Sequence, residues 1–479
     1  MARRVREAAM RRVRRVPAGA PRSGAGVHGL VAFGVTLLLA ACAAPPSATP
    51  PHVGAPYHTD GRFLRDAAGG AILLRGVNLS GSSKTAPYDP VEMDGDGLAR
   101  LDAYGPVAVR YLTTWAAIEP EQGTFDDAYL ARLTANMKRL AAAGNLVLLD
   151  LHQDLFGIGF HGDGAPLWAC DASEYASYTP QNPWFLGYST PEVTACFDHL
   201  FSTPALLDEM IAALDRAVRA AMKGAGDALV GVDLLNEPWP GSDSSAAFDE
   251  GPLADYYAKA AASLSDLGVA IFFEPNVLRN EDVPTNLPRR PVPDGVYAPH
   301  FYPAQVELGS YDGDTAHLDT LIGALDAEAG SLQTPLVLGE YGPPGGATNR
   351  DAYVGDVLDD LDRRFVGAFY WDWSAEGRGL LDSSGMPRPL AQIALRPHAR
   401  RVAGTPVSQV FDAQTATLTV TWTFEGEGGD TEILLPDAWY PHGVAVSAGG
   451  DAWHVDGRVL HVLPSSFLRV HRVRVAPKP

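Results

Sequence analysis

Basic side chains are in short supply in this 479-residue chain, in which 37 lysines and arginines face 57 aspartates and glutamates for a formal net charge of −20. A nucleic-acid partner is disfavoured, because phosphates are bound through a basic face. The chain also has no phosphate-binding loop and no dinucleotide-binding glycine fingerprint, and His161, His199 and His317 lack the spacing of metal ligands. We therefore expect no cofactor and no metal.

Long apolar runs are scarce as well. Residues 29–41 are apolar, but this stretch is too short to span a bilayer. It follows an arginine-rich segment and precedes small residues, which is the pattern of an export signal. The residues Leu39, Ala40, Ala41 and Cys42 resemble a bacterial lipobox, in which the cysteine is lipidated and becomes the new N-terminus. The alternative is ordinary cleavage in the small-residue run, with Cys42 removed or left free.

The sequence thus predicts an exported protein, either a bacterial cell-surface lipoprotein or a secreted one. Removal of a lipoprotein-type signal peptide at residues 1–41 takes away eight arginines and one glutamate, which leaves 29 basic and 56 acidic residues, a net of −27. Anionic lipid headgroups would repel such a surface, so peripheral membrane association would depend on a lipid anchor or on apolar contacts. Residues 42–56 are rich in alanine and proline and are predicted to be a tether.

Cysteine is the third scarcity, since only Cys170 and Cys196 remain after Cys42. An exported protein permits a disulfide between them, and both flank a stretch rich in tryptophan and proline that has the composition of a long loop. The alternative is a pair of buried thiols.

Short apolar runs alternate with helical patterns from residue 57 onward. Runs typical of buried strands lie at residues 72–78, 107–112, 146–151, 229–235, 270–274, 296–300, 336–339 and 366–370. Eight such strands with helices between them predict an α/β fold with a parallel sheet closed as a (β/α)₈ TIM barrel over residues 57–395. A doubly wound open sheet is the alternative. Short strands without helical periodicity then predict a small C-terminal β-sandwich domain at residues 400–479.

Polar side chains recur at the ends of the predicted barrel strands, where a TIM barrel carries its reacting groups. They are Arg110, His152, Asn236, Glu237, Glu274, His300, Tyr302, Glu340 and Trp371. One such residue is an ordinary loop start, but their recurrence around the barrel indicates an active site.

Two of these residues, Glu237 and Glu340, end the fourth and seventh strands and can face each other across the barrel mouth. Glycoside hydrolysis with retention needs two carboxyl groups about 5–5.5 Å apart, one protonated and one ionised. We expect Glu237 to be the acid/base, with a pKa raised by burial and by a neighbouring negative charge. Glu340 would be the nucleophile, held by Arg110 and Tyr302, and the Asn236 amide would bind a sugar 2-hydroxyl.

Three motifs, LRGVN at 74–78, LNEP at 235–238 and LGEYG at 338–342, resemble glycoside hydrolase family 5 of clan A over roughly residues 57–395. The resemblance implies that Glu237 is the acid/base and Glu340 the nucleophile. It also implies supporting, substrate-binding positions for Arg110, His152, Asn236, His300, Tyr302 and Trp371.

A narrower resemblance is to the endoglycoceramidases of that family, which cut the bond between a glycan and ceramide. It is carried by KTAPY at 84–88, HQD at 152–154, DLLNEPW at 233–239, FFEP at 272–275 and the C-terminal β-sandwich. By this resemblance Lys84, His152 and Asp154 bind hydroxyls of the sugar next to the scissile bond. The following FGIG at 156–159 departs from many relatives, which have a hydroxyl-bearing residue there, and so leaves the preferred glycan open.

Aromatic residues around the two cysteines allow two interpretations, an acyl-chain groove or the packing of a disulfide-bonded loop. They are Trp168, Tyr175, Tyr178, Trp184, Phe185 and Tyr188. The alternative functions are a family 5 glycosidase acting on polysaccharide or on simple alkyl or steryl glucosides, and a non-catalytic, lipid-anchored carbohydrate-binding protein. The presence of both Glu237 and Glu340 argues against the non-catalytic alternative.

Overall fold

The computed structural model describes residues 54–93, 95–424, 426 and 429–478. The predicted signal peptide, Cys42 and most of the predicted tether lie outside these residues. No helix in the described ranges combines the length and the apolar character needed to cross a membrane.

The described chain opens with three short strands that join the C-terminal domain. They are β1 (His58–Thr59), β2 (Leu64–Arg65) and β3 (Ala71–Ile72). The strand predicted at 72–78 is therefore divided, because Ile72 pairs with Arg401 and the backbone N–H of Leu73 donates to Arg400 O at 3.0 Å. Leu64 and Ile72 pack against side chains from the interior of the barrel, so this ribbon covers one end of the barrel.

Eight parallel strands follow and form the barrel. They are β4 (Arg75–Leu79), β5 (Ala108–Thr114), β6 (Leu146–His152), β7 (Leu229–Asp233), β8 (Ala270–Phe273), β9 (Gly295–Tyr297), β10 (Val337–Tyr341) and β11 (Gly367–Tyr370). The sheet order is β10-β11-β4-β5-β6-β7-β8-β9, and backbone bridges between Tyr297 and Leu336 and between Phe301 and Tyr341 close it. The predicted (β/α)₈ barrel is confirmed. Its strands are buried along their length because helices cover their outer faces.

Capping side chains and prolines mark the starts of several helices. Asp126 starts the third helix by accepting the backbone N–H groups of Ala128 and Tyr129, both at 2.9 Å, and Pro204 occupies the first turn of the sixth. The helices are α1 (Gly95–Asp102), α2 (Trp115–Ile118), α3 (Asp127–Ala142), α4 (Ala172–Ser177), α5 (Pro191–Ser202), α6 (Pro204–Ala225), α7 (Ser245–Phe248), α8 (Ala254–Ser263), α9 (Ala304–Glu307), α10 (Thr315–Leu332), α11 (Arg350–Arg364) and α12 (Pro389–Ala394).

The C-terminal strands form two sheets that pack face to face, as predicted. They are β12 (Ala399–Val402), β13 (Thr405–Asp412), β14 (Thr417–Thr423), β15 (Thr431–Leu434), β16 (Val444–Ser447), β17 (Ala452–Asp456), β18 (Val459–Leu463) and β19 (Val470–Pro477). One sheet has the order β1-β2-β3-β12-β15-β18-β17 and the other β13-β14-β19-β16. Trp422 is fully buried between them with Leu460, Val462 and Val473.

A buried carboxylate, Asp362 of α11, ties the barrel to the β-sandwich. It accepts hydrogen bonds from Arg75 of β4 at 3.0 Å, from Arg396 at 2.6 Å and from Gln409 of β13 at 2.6 Å. Arg396 and Arg75 outweigh the effect of burial and lower the pKa of Asp362. The two domains are therefore joined by a charged network that is almost closed to solvent.

Candidate active site

The strand ends bring all of the predicted site residues from the barrel to the same end of the fold. Each lies within, or one to five residues beyond, the strand that positions it, and Lys84 lies in a short 3₁₀ turn (Gly81–Lys84) after β4. From β5 to β11 the residues are Arg110, His152, Asp154, Asn236, Glu237, His300, Tyr302, Glu340 and Trp371. A parallel barrel gives this result because every strand points its carboxyl end to the same mouth.

Arg110 lies at the centre of this end and is fully buried. Its guanidinium group donates to Glu340 Oε1 at 2.8 Å, to Asn236 Oδ1 at 3.0 Å and to Asn78 Oδ1 at 3.1 Å. It also pairs with three further buried carboxylates, Asp150, Asp233 and Glu274. Burial lowers the pKa of Arg110, but the surrounding carboxylates raise it more, so the cation is retained.

Glu340 receives one donor on each carboxylate oxygen. Arg110 donates to Oε1, and the Tyr302 hydroxyl donates to Oε2 at 2.8 Å. Burial and the nearby Glu340 charge raise the pKa of Tyr302 well above its usual range, so Tyr302 remains a phenol that donates. Arg378 lies over the Tyr302 ring at 4.7 Å and holds the ring in place. Glu340 is thus fixed in orientation with its charge balanced.

Glu237 differs from the expectation for its pKa. Burial raises the pKa, as predicted, but His300 Nδ1 at 2.8 Å and Asn280 Nδ2 at 2.9 Å from Oε1 lower it more, and the net shift is downward. Glu274 and Glu340 raise the pKa of His300 well above its usual range, against the effect of burial. The prediction of a raised pKa is therefore wrong, because His300 and Asn280 favour the ionised form of Glu237 more than burial disfavours it.

His300 also limits the distance between the two glutamates. Its Nδ1 lies 2.8 Å from Glu237 Oε1 and 3.5 Å from Glu340 Oε2, so these two oxygens can be at most about 6.3 Å apart. Inverting glycosidases need about 6.5–9.5 Å between their carboxyl groups to admit a water, whereas retaining enzymes need about 5–5.5 Å. An upper limit of about 6.3 Å between one pair of oxygens is compatible with the shorter separation of a retaining site.

Glu274, which follows β8, contacts several members of the site. Its Oε2 accepts the backbone N–H of Glu237 at 3.0 Å, and its Oε1 lies 3.1 Å from His300 Nε2. Burial and the charge of Asp233 raise its pKa to about 8, although His300 and Arg110 oppose this. Glu274 thereby fixes the backbone of Glu237 and the ring of His300 at the same time.

A second cluster of polar residues lies beside the two glutamates, around the ammonium group of Lys84. Lys84 pairs with Asp154, lies 3.5 Å from Asp163 and donates to His152 Nε2 at 2.9 Å. His152 Nδ1 in turn donates to Asp150 Oδ2 at 2.8 Å. Burial, followed by the charges of Lys84 and Arg110, lowers the pKa of His152 well below its usual range, which agrees with this neutral tautomer.

Trp371 closes this cluster on one side. Its ring stacks on His152 with the centroids 5.6 Å apart, and the Lys84 ammonium lies 4.9 Å from the ring centre. The result is a polar wall with one aromatic face, an arrangement that suits a sugar ring with several hydroxyl groups.

The long loop after β6 contains the predicted disulfide, since Cys170 and Cys196 are bonded with Cα atoms 5.5 Å apart. The aromatic residues around it divide into two groups. Trp168 packs on Trp115, while Tyr175 and Tyr178 pack on Phe160, and these residues support the loop. The consecutive residues Trp184, Phe185 and Leu186 are about half exposed and form what we call the apolar lip.

The apolar lip is connected through aromatic contacts to the segment that carries Glu237. Trp184 lies 6.4 Å from Tyr188, and Tyr188 lies 5.4 Å from Trp239, two residues after Glu237. Gln153 links the Tyr188 segment to the Glu237 segment, because its side-chain amide donates to the Glu237 carbonyl at 2.8 Å and to the Tyr188 hydroxyl at 3.2 Å.

Asp163, Gln153 and Asn280 are among the site residues that were not predicted for their roles. Asp163 reaches Lys84 from a loop that folds back tightly, where a side chain on Gly162 would lie 2.0 Å from Asp154 O. Gln153 belongs to the HQD motif, but the sequence analysis predicted no role for it. No sequence pattern distinguished Asn280, because it belongs to an ordinary polar turn. Glycines around Asp163, in His161-Gly162-Asp163-Gly164, were the one available hint of a sharp loop.

Comparison with known proteins agrees with this geometry. The cellulase model of glycosyl hydrolase family 5 matches residues 66–377, and the glycoside hydrolase family 5 C-terminal domain matches residues 396–475. The chain is 33% identical to endoglycoceramidase I of Rhodococcus hoagii (strain 103S) over 420 residues, 82% of each chain.

Solved structures of endo-glycoceramidase II from Rhodococcus sp. are also similar. Its ganglioside GM3 complex matches with a TM-score of 0.78 and 27% identity over 87% of this chain and 99% of that one. Its lactosyl-enzyme intermediate matches with a TM-score of 0.76 and 28% identity over 87% and 100%. The chain therefore belongs to glycoside hydrolase family 5, and it is a glycosidase with the TIM barrel and the C-terminal β-domain of that family.

Proposed function

We propose that this protein is a retaining glycosidase that hydrolyses the bond between the glycan and the ceramide of glycosphingolipids. The observation that carries the proposal is the placement of Glu237 and Glu340 around one histidine, with the polar cluster at Lys84 close by. The exposed apolar lip is joined to the segment that carries Glu237 through Tyr188 and Trp239. Such a substrate has a head that needs hydrogen bonds and tails that need an apolar surface. The relatives named as endoglycoceramidases support the same substrate class.

In the proposed reaction, Glu340 attacks the anomeric carbon while Glu237 protonates the departing ceramide oxygen, and the glycosidic bond breaks. Glu237 acts in its protonated form in this step, and His300, whose Nδ1 lies 2.8 Å from Oε1, balances its charge when it is ionised. A water that Glu237 deprotonates then displaces Glu340 from the sugar, and the two inversions leave the configuration unchanged. Arg110 and Tyr302 hold both oxygens of Glu340 for the attack.

The roles of the two glutamates are tested by their alanine variants. Glu340→Ala should abolish turnover, and added azide should restore it with inverted configuration, because azide replaces the missing nucleophile. Glu237→Ala should keep activity on aryl glycosides with good leaving groups, which need no protonation. Proton NMR of the first anomer formed by the native enzyme measures retention, and an inverted anomer would refute the mechanism.

The substrate is tested by kcat/KM for β-glycosides with alkyl chains of increasing length, compared with soluble glucan and mannan. Each methylene buried contributes about 0.8 kcal/mol, so the values should rise steeply with chain length. Trp184→Ser and Phe185→Ser should weaken this rise while leaving a short aryl glycoside unaffected. A flat response together with faster cleavage of a soluble polysaccharide would replace glycolipid with polysaccharide as the substrate.

We also propose that the protein is exported and anchored by a lipid on Cys42, on the basis of the lipobox-like sequence at 39–42. A diacylglyceryl group would hold a protein of this negative charge at a membrane that repels it. Mass spectrometry of the mature N-terminus should find this group on Cys42, and Cys42→Ser should remove it. An unmodified N-terminus after residue 42 would contradict the anchor.

A further inference from the structure

The carboxyl group of Glu237 accepts two hydrogen bonds, and both end on the same oxygen. His300 Nδ1 lies 2.8 Å from Oε1, and Asn280 Nδ2 donates to Oε1 at 2.9 Å. These are the hydrogen bonds that its carboxylate makes with the described residues, so Oε2 is left for substrate and water. The two oxygens of the acid/base are therefore not equivalent.

We propose that Asn280 is a positioning residue of the acid/base: it holds Oε1 as an acceptor, so that Oε2 gives and takes the catalytic proton, and it favours the ionised form of Glu237. This rests on the proposed role of Glu237. Asn280 is neutral, so its hydrogen bond persists over the whole pH range in which His300 gains or loses a proton.

Asn280 is placed by a turn that is tied to the segment carrying Glu237. It belongs to the 3₁₀ turn Val277–Glu281, which begins at Asn276, and the backbone N–H of Val277 donates to Pro238 O at 3.0 Å. Asn276 fixes the start of the turn through hydrogen bonds to Ser245 and Asp249 at 2.8 and 2.7 Å. The turn and the acid/base therefore move as one unit.

Several charged or titratable groups face Glu237 from the surrounding elements. They are Lys84, Asp154, Tyr188, Glu274, His300, Tyr302 and Glu340. Substituting Asn280 leaves all of them in place, so a changed pH profile reports the lost hydrogen bond and not a lost charge.

The step that each protonation state of Glu237 serves gives the direction of the effect. Glycosylation needs the acid form, and the alkaline limb of kcat/KM reports its loss in the free enzyme. A donor to the carboxylate favours ionisation, so removal of Asn280 should raise the pKa of Glu237 and move that limb to higher pH. Deglycosylation needs the base form, so the acidic limb of a deglycosylation-limited kcat should move in the same direction.

The experiment compares Asn280→Ala and Asn280→Asp with the native enzyme, by kcat/KM against pH on an alkyl β-glycoside. Above the native limb, Asn280→Ala should retain about tenfold more of its own maximum, the size expected for one hydrogen bond to a charged group. Asn280→Asp should shift the limb further, because it adds a negative charge beside Glu237. Its near-identical shape protects the test if the alanine variant does not fold.

The matched control is Asn286→Ala, since Asn286 is an exposed asparagine just beyond the same turn, and its side-chain amide donates to Pro284 O. Its pH profile should be parallel to the native one. An Asn280→Ala profile parallel to the native one would overturn the inference. The titration of Glu237 can also be followed without turnover, by ¹³C NMR of glutamate-labelled protein with the signal assigned from Glu237→Gln. If Asn280→Ala leaves this titration unchanged, the inference is overturned. If the titration shifts upward but the protein has no β-glycosidase activity, only the proposed function is refuted.

Discussion

At the scale of single residues, the site is a balance between few cations and many carboxylates. Arg110 alone contacts Asp150, Asp233, Glu274 and Glu340, and only a planar, permanently charged guanidinium has enough donors for this geometry. Burial raises the pKa of Asp150 well above its usual range even with Arg110 beside it. Glu237 and Glu340 therefore lie within a network of interacting charges, and a variant of one member changes the electrostatic surroundings of the others.

The hydroxyl of Tyr302 provides a prediction at this scale. Tyr302→Phe removes one of the two donors to Glu340 while it keeps the ring under Arg378. We expect kcat/KM to fall about 10- to 100-fold, the value of a hydrogen bond to a charged group, with the melting temperature nearly unchanged. Tyr311→Phe is the matched control, because its hydroxyl also donates to a carboxylate, that of Asp356, at 2.8 Å. Equal losses in both variants would contradict a specific role of Tyr302.

At the scale of elements, the loop between β6 and α6 carries the disulfide and the apolar lip. Cys170 ends a short 3₁₀ turn and Cys196 lies buried in α5, so the bond joins the lip to a packed helix. The apolar lip is thus presented by a restrained loop whose supporting aromatic residues pack on the barrel. In the proposed reaction, this restraint fixes the position of the lip that would receive an apolar aglycone.

The double variant Cys170→Ser/Cys196→Ser tests that restraint. A bond closing a loop with a sequence separation of 26 contributes about 3.5 kcal/mol in the chain-entropy account, and unfolding in denaturant measures its loss. We expect activity on long-chain glycosides to fall several-fold more than activity on a short aryl glycoside. Equal losses on both substrates would show that the bond serves stability alone.

His398, just before β12, predicts a pH dependence of stability. Burial lowers its pKa from the ordinary histidine value of 6.5 to about 4, although its hydrogen bond to the Arg396 carbonyl opposes this. The unfolded chain binds the proton first, so stability is present above about pH 6.5 and is lost as the pH falls toward 4, by at most about 3 kcal/mol. His398→Gln should reduce the difference in unfolding free energy between pH 7 and pH 4.5; an unchanged difference would exclude His398 as a source.

At the scale of the whole molecule, the barrel and the β-sandwich form one structure. The N-terminal ribbon pairs with β12 through Ile72 and Arg401, and buried Arg401 holds the equally buried Asp66 at 2.7 Å. Asp362 depends in the same way on Arg396 and Gln409. When the C-terminal domain is absent, Asp66 loses Arg401, and Asp362 loses two of its three side-chain donors and keeps only Arg75. Loss of the charged partner of a buried carboxylate costs several kcal/mol.

A chain ended at residue 395 should therefore fail to fold, although it contains every strand of the barrel. Expression yield, tryptophan fluorescence and thermal unfolding measure this. A chain that lacks only residues 1–41 is the control and should fold normally. A soluble, cooperatively unfolding barrel of residues 42–395 would show that the domains are independent.

The sequence by itself determined the barrel, the β-sandwich and the identity of the residues at the barrel mouth. The barrel could be predicted because parallel strands that are buried on both faces have continuous apolar sequences. The site could be predicted because polar residues follow the strand ends, as Asn236 follows β7 and His300 follows β9. The family motifs could also be read from the sequence, because each motif is a run of consecutive residues at or near a strand end.

Only the tertiary structure decided how these residues share protons. Glu237 and Asn280 are 43 positions apart, and His300 and Glu237 are 63 apart, so no local pattern reports their hydrogen bonds to one oxygen. The pairing of residue 72 with residue 401 was likewise hidden, because an apolar strand fits either sheet until its partners are present. Burial is a local property that sequence encodes, whereas electrostatic balance depends on every charge that folding brings within a few ångströms.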